Sequence, residues 1–185
     1  IKGVGSIDAI EPTGGSLRIA VRWSGFIKSG VERGSSVSID GVCLSAEQML
    51  GDVVWFTAVE ETVSRTTLEK RKPGDMVNIE LPATPSSFLD GHIVQGHIDC
   101  VGKISALARK GAQHTLKVEY PHRFSKYIVE KGAVAIDGIS LTVAQCGHGW
   151  LECAIIPETM AKTTLQYKSV GDDVNIEFDI FAKYI

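Results

Sequence analysis

No apolar run in this chain approaches the length of a membrane span, and no charged-then-apolar leader opens it. The sequence therefore reads as soluble and cytoplasmic, with no membrane partner. An excess of one charge is also missing. The 19 Lys and Arg stand against 22 Asp and Glu, for a net charge of −3, and the two signs are interspersed. That pattern gives no basic stripe for nucleic acid and points to a small neutral or weakly charged ligand. Cysteines are few, and Cys43, Cys100, Cys146 and Cys153 show neither a CxxC pair nor another metal-ligand spacing. They read as free thiols, and no metal is expected. Ile1 stands where a Met would, and Phe181 to Ile185 breaks off with apolar residues at helical spacing, so further sequence is expected at both ends.

What the chain has is itself, written twice. Residues 37 to 88 recur at 134 to 185. Val37-Ser38-Ile39-Asp40-Gly41 returns as Val134-Ala135-Ile136-Asp137-Gly138, and Glu61-Thr62 as Glu158-Thr159. Thr66-Thr67-Leu68 returns as Thr163-Thr164-Leu165, and Val77-Asn78-Ile79-Glu80 as Val174-Asn175-Ile176-Glu177. All four pairs stand 97 positions apart. A constant offset means two domains that share a topology and a binding geometry, and so two similar ligands. At 185 residues and 44% hydrophobic content, the chain can fill two small cores of about 90 residues each. The domains are expected at 1–90 and 91–185.

Short alternating or β-branched segments punctuated by Gly, Asp and Ser read as antiparallel strands. Candidates are 17–23, 36–39, 44–49, 53–59 and 76–81, with partners 97 residues on. Six or so short strands per copy favour a small closed barrel, which also removes exposed edges. Pro73-Gly74-Asp75 and Val170-Gly171-Asp172 are matching turns. In the second copy one helix is expected from Pro121 to a stop at Gly132, with Phe124, Tyr127 and Ile128 on one side, and another after Pro157. Pro82 to Ser87 opposes helix and central strand alike, and reads as the linker, ending near Gly91.

Asp40-Gly41 and Asp137-Gly138 fit hairpin turns. The residues that follow raise a second possibility, because Cys43 and Ser140 occupy the same place in the two copies. Alternation puts Cys43 and Ser45 on one face and Ser140 and Thr142 on the equivalent face, with Leu44 and Leu141 pointing the other way. A lone cysteine is ordinarily a buried small hydrophobe; its alignment with Ser140 inside a repeated motif points to a site. Glu61-Thr62 and Glu158-Thr159 read as caps of short helices, or as strand-end walls for a flat, polar-edged ligand. His92 and His97 would face opposite ways on a continuous strand, which argues against a metal pair. His97 is the better acid–base candidate, or a hydrogen-bonded linker residue. His114, His122 and His148 read as surface.

At Gly91-His92-Ile93-Val94-Gln95-Gly96-His97-Ile98-Asp99, at Ile136 to Val143 and at Ile156-Pro157-Glu158-Thr159, the chain resembles the alpha-type riboflavin synthases over nearly its whole length. That family also contains lumazine proteins, which bind the same pteridines without turning them over. The resemblance implies an all-β fold of two tandem six-stranded antiparallel Greek-key barrels with short helices, related by internal duplication. It implies a dismutation of two 6,7-dimethyl-8-ribityllumazine molecules to riboflavin and 5-amino-6-(ribitylamino)uracil, with no cofactor. It also implies a homotrimer, in which the first barrel of one subunit faces the second barrel of its neighbour.

Carried over by residue, the first pocket is Cys43, Leu44, Ser45, Thr57, Ala58, Val59, Glu60, Glu61, Thr62, Gly96, His97 and Ile98, with Ser36 close by and Ile1 from the opening segment. The second is Lys131, Ser140, Leu141, Thr142, Ala154, Ile155, Ile156, Pro157, Glu158 and Thr159, with Asp179 at the barrel's last strand. Ser36, Cys43, His97, Ser140 and Asp179 are the implied proton carriers or adduct stabilisers. The chain departs from the family in three places. The opening Met-Phe-Thr-Gly-Ile is reduced to Ile1, Ser45-Ala46 stands for Thr-Val, and the C-terminal helix would only begin around Phe181.

Overall fold

The computed structural model describes residues 1–110 and 113–184. Among these, the first copy forms β1 (Gly3–Thr13), β2 (Ser16–Arg22), β3 (Ser36–Ile39), β4 (Val42–Leu50), β5 (Val53–Ala58) and β6 (Met76–Glu80). The second forms β7 (Cys100–Lys110), β8 (Gln113–Glu119), β9 (Ala133–Ile136), β10 (Ile139–Gly147), β11 (Trp150–Ile155) and β12 (Asp173–Phe178). Each set closes into an antiparallel barrel, in the order β1-β2-β5-β4-β3-β6 and the equivalent circuit of β7 to β12. Strands β3, β4 and β5 run as a meander and β6 returns beside β3, which is a Greek key.

The first strand of each copy was not expected from the sequence. In β1 and β7 the apolar alternation is broken by a register shift, between Ile7 and Ala9 and again between Ile104 and Ala106. Glycines also stand where strands crowd. A Cβ on Gly5 would lie 2.6 Å from Ile79, and one on Gly102 would lie 2.5 Å from Ile176. A bulge and a strand glycine at such a closure lower the periodic signal that marks a strand.

Helices are short: α1 (Gly25–Ser29), α2 (Glu60–Arg65) and α3 (Pro157–Lys162). The helix expected to run from Pro121 to Gly132 is instead a 3₁₀ turn, His122–Tyr127, and Ile128 is already extended at φ −119. Phe124 and Tyr127 fold onto Phe178, with ring centroids 5.5 and 5.9 Å away, and this packing is satisfied by the single turn. The α1 helix, which buries Phe26 and ends at left-handed Gly30, had no distinct sequence signal.

Each barrel has its own core. Ile19, Val37, Phe56 and Ile79 belong to one, and Leu116, Val134, Leu151 and Ile176 to the other. The segments leading into the barrels cross over. Ile98, just before β7, packs against the first core, and Ile1, its equivalent before β1, packs against the second.

The barrels dock through the repeated motifs. Asp40 at φ 47 and Gly41 at φ 81 make a two-residue hairpin turn, as do Asp137 at φ 45 and Gly138 at φ 78. The two turns abut, since a Cβ on Gly41 would stand 2.7 Å from the Gly138 nitrogen. Asn78 Nδ2 donates to the Asp137 carbonyl at 3.0 Å, and its Oδ1 accepts the Thr164 amide at 2.8 Å. Asn175 repeats the arrangement with the Asp40 carbonyl at 2.9 Å and the Thr67 amide at 2.8 Å. Such reciprocity is what a two-fold interface demands of two like surfaces. The buried Asp40 carboxylate bonds Arg71 at 2.5 Å and Asp137 bonds Lys168 at 2.8 Å. Burial and the neighbouring Asp137 push the Asp40 pKa up to about 7, against the pull of Arg71 and Lys168.

Candidate functional site

Strand alternation sends Val42, Leu44 and Ala46 into the first core and leaves Cys43 and Ser45 exposed on the outer face. Strand β10 does the same with Ile139, Leu141 and Val143 inside and Ser140 and Thr142 outside. The equivalent polar groups therefore stand on the outside of each barrel. Leu44, Leu141, Ala58 and Ile155 are core residues, so a ligand on the outer face meets only their backbone.

Beside Cys43 lies a cavity of about 180 Å³ lined by Val42, Cys43, Glu61, Thr62, Arg65, Thr66, Gly96, His97 and Ile98. Three separate stretches of chain build it. Strand β4 supplies Val42 and Cys43, helix α2 and the residue that ends it supply Glu61, Thr62, Arg65 and Thr66, and the linker supplies Gly96, His97 and Ile98. Residues 81–99 form no regular element, so the strand parity that separated His92 from His97 does not apply. The Gly96 carbonyl instead accepts the Cys43 amide at 2.9 Å. Gly96 has φ 80, and a Cβ there would sit 2.6 Å from the Cys43 Cβ, so this close approach requires glycine. Within α2, Glu61 pairs with Arg65, one turn on. The Thr66 hydroxyl closes the helix end on the Thr62 carbonyl at 2.8 Å.

Glu177 holds the loop in place. Its carboxylate accepts the amides of Gln95, Gly96 and His97 at 2.7, 2.8 and 3.1 Å. Burial raises its pKa, and the three amides oppose that rise. The sequence reading saw Glu177 only as part of a repeated motif; nothing local marks a strand carboxylate as the clamp of a loop some 80 residues away in sequence.

In the second barrel Ser140 is approached by the linker too. His92 Nδ1 lies 2.8 Å from Ser140 Oγ, and the His92 amide donates to the same oxygen at 3.3 Å. Burial lowers the His92 pKa, with Asp179 opposing. Sequence reasoning passed over His92. Asp179 lies just past β12, not on it, and caps the 3₁₀ turn Ile180–Lys183 by accepting the Phe181 amide at 3.1 Å. That turn begins where the C-terminal helix was expected.

Lys131 is exposed at φ 66 and donates its amide to Val143 at 2.8 Å, as Gly34 at φ 88 does to Ala46 at 2.7 Å. Ser36 is exposed opposite Ser45, and Thr142 pairs with Ala133. The strand ends at Thr57 to Thr62 and Ala154 to Thr159 lead into α2 and α3, and their equivalent residues Val59 and Ile156 are 57% and 51% exposed. Ile1 is placed against the second core, not the first pocket, because its segment crosses between barrels; its amino group pairs with Glu80 at 3.0 Å.

Cys43 is exposed, whereas burial drives the Cys100 and Cys153 thiols up to about 12. Cys43 is thus accessible while those two are inert. Among the described residues no cluster of three His, Cys, Asp or Glu could hold a metal, and no helix is long and apolar enough to cross a membrane.

The family model of the lumazine binding domain matches this chain twice, over residues 1–82 and 95–179. A riboflavin synthase of Mycobacterium tuberculosis (strain ATCC 25618 / H37Rv) is 38% identical over 186 residues, covering 98% of this chain and 92% of its own. Those of Photobacterium phosphoreum and Chlamydia muridarum (strain MoPn / Nigg) are 34% and 37% identical, covering 100% and 99% of this chain and 85% and 89% of theirs. Among solved structures, LumP complexed with 6,7-dimethyl-8-(1'-D-ribityl) lumazine superposes with a TM-score of 0.87 at 21% identity. LumP complexed with riboflavin gives 0.89 at 22%, and both alignments cover 96% of each chain. With two matched repeats and relatives similar over nearly their full length, the chain belongs to the riboflavin synthase family and is built from two lumazine-binding domains.

Proposed function

We propose that this protein is a riboflavin synthase that dismutates two 6,7-dimethyl-8-ribityllumazine molecules, one giving a four-carbon unit to the other to form riboflavin and 5-amino-6-(ribitylamino)uracil. The observation that carries the proposal is a pair of equivalent but chemically unequal sites. Cys43 and Ser140 occupy the same outward position in two barrels of one topology, each met by its own glycine and histidine. Two like ligands require two like pockets, and unequal side chains allow one to donate while the other accepts. The 7-methyl group of the lumazine is itself acidic through delocalisation into the ring. Orientation of two rings therefore does most of the work, and alignment of bound reactants is worth roughly 7–11 kcal/mol.

The reacting pair sits between the first barrel of one subunit and the second barrel of its neighbour in a homotrimer. The cavity at Cys43, about 180 Å³, is smaller than the roughly 300–1,000 Å³ of a complete small-molecule pocket, which fits a half-site completed by another surface. In the first pocket the strand end from Thr57 to Thr62 and the Gly96-His97-Ile98 loop read the pyrimidinedione edge. In the second, the Ala154 to Thr159 strand end plays that part, and the Lys131 and Thr142 side chains hold the ribityl hydroxyls. The division into domains at 1–90 and 91–185, and a cytoplasmic location, belong to the same proposal.

Incubation with the lumazine alone, without metal or nucleotide, tests it. Catalytic appearance of riboflavin as lumazine absorbance falls is the expected result. The second reading is a lumazine or flavin carrier, favoured by the Ser140 hydroxyl being bonded by the chain's own His92; tight binding by a trimer with no flavin formed would establish it instead.

A further inference from the structure

The turn that follows the second barrel inverts the usual order of a surface. In the 3₁₀ turn Ile180–Lys183, Phe181 is 64% exposed, and Tyr184, which follows the turn, is 84% exposed. Lys183 is folded in, with 21% of its side chain exposed. Lysine is seldom buried unless it is paired, and its Nζ meets Asp99 Oδ2 at 2.7 Å. Asp99 is the last residue of the linker before β7 and stands two positions past His97.

Asp99 is held at several points. Its amide donates to the Ile176 carbonyl at 2.9 Å, and Oδ2 accepts the Phe178 amide at 2.8 Å as well as pairing with Lys183. Glu177, between those two strand residues, accepts the amides of Gln95, Gly96 and His97. Two carboxylates, one from the linker and one from β12, thus fasten Gln95 to Asp99 along the end of that strand. Carboxylates withdrawn from water cost free energy unless a cation or hydrogen bonds offset them. Lys183 is such a cation for both. It pairs with Asp99, and its field joins the three amides in opposing the rise that burial imposes on the Glu177 pKa.

The first copy does not carry these groups. Glu80 keeps the place of Glu177, but Lys2 stands where the second copy has Asp99 and Ser86 where it has Lys183, each 97 positions back. The first barrel closes nonetheless, so closure does not require the pair. The pair occurs where a linker is kept against Cys43, whose amide the Gly96 carbonyl accepts. We propose that Lys183 is a positioning residue for the Cys43 site, acting through Asp99 and Glu177 to keep Gly96 and His97 in place. The role rests on the lumazine site proposed above. A side chain beyond the second barrel then sets the shape of the first barrel's pocket.

Lys183→Met removes the charge, and Lys183→Arg keeps it. Amide hydrogen exchange, followed by NMR, reads the loop with or without a ligand, because its rate follows the open population. In Lys183→Met the Gly96 and Cys43 amides are expected to exchange about tenfold faster, with Lys183→Arg within about twofold of wild type and strand β2 unchanged in both. The KM for 6,7-dimethyl-8-ribityllumazine should rise by at most the same factor, while kcat holds within about twofold. Unaltered Gly96 exchange in Lys183→Met, fast exchange persisting in Lys183→Arg, or a rise spread through the whole second barrel would reduce Lys183 to an ordinary ion pair and overturn the proposal. A fall in kcat with KM unchanged would overturn it too, by placing Lys183 in the chemistry. If the wild-type protein neither binds the lumazine nor forms riboflavin, the synthase reading fails by itself, and faster exchange in Lys183→Met still supports the hold of Lys183 on the loop.

Discussion

Glu177→Ala should open the Cys43 site without touching a residue that lines it. The carboxylate is the acceptor for three consecutive amides, of which only the Gly96 bond is fully buried; those to Gln95 and His97 are partly buried. A hydrogen bond to a charged group contributes about 1.5–3 kcal/mol, and a buried donor left unpartnered costs about 1–3 kcal/mol. Water can reach the Gln95 and His97 amides, so their loss is largely offset. The buried Gly96 amide sets the scale, and we expect the closed loop to lose about 2–4 kcal/mol relative to an open one. At 1.4 kcal/mol per factor of ten, that is roughly 30- to 1,000-fold in the closed-to-open ratio. Affinity falls with the fraction of competent loop, so titration of the lumazine should show weaker binding, by up to that factor once the open form dominates. Glu177→Gln keeps one acceptor oxygen but turns an amino group toward the backbone donors, and should fall between. Wild-type affinity in Glu177→Ala, with an unchanged melting curve, would refute the claim that this carboxylate holds the pocket.

Asn78→Ala strips partners from the Thr164 amide and the Asp137 carbonyl, and should destabilise the protein by about 2–5 kcal/mol in urea unfolding. Asn175→Ala should match it, and the double variant should cost less than their sum because one docked interface is lost only once. Asp40 carries its proton to about pH 7 in the folded state against a reference pKa of 3.8, so the folded state binds more protons in that window. Stability should therefore fall as pH rises from about 4 to 7 and level off above; Asp40→Asn should flatten that slope in pH-dependent melting, and an unaltered slope would assign it elsewhere. Gly96→Ala must place a Cβ 2.6 Å from Cys43 at φ 80, which strains the backbone by about 1–2 kcal/mol. Ligand titration should show the first site weakened, while equal affinity would mean that the loop relocates freely.

Five strands of each copy lay open in the sequence because a pleated, half-buried segment repeats every two residues. The sixth, β1 or β7, did not, since its bulge and its glycine are answers to barrel closure and carry no local period. The outward place of Cys43 and Ser140 followed from the same alternation. His92 and Glu177 stayed hidden for a different reason. One was judged by strand parity in a segment that is no strand, and the other acts on a loop reached only through the fold.

The amino-acid order alone determined the duplication, the small all-β barrels and the pairing of Cys43 with Ser140, because periodicity and a constant offset are properties of neighbours along the chain. Tertiary structure decided the rest. Only docking shows that the Asp-Gly turns and the two asparagines form one reciprocal interface, that Ile1 and Ile98 each pack on the other barrel, and that a single linker reaches both Cys43 and Ser140. Those contacts join residues far apart in sequence, and their free energy arises only once two closed barrels have been brought face to face.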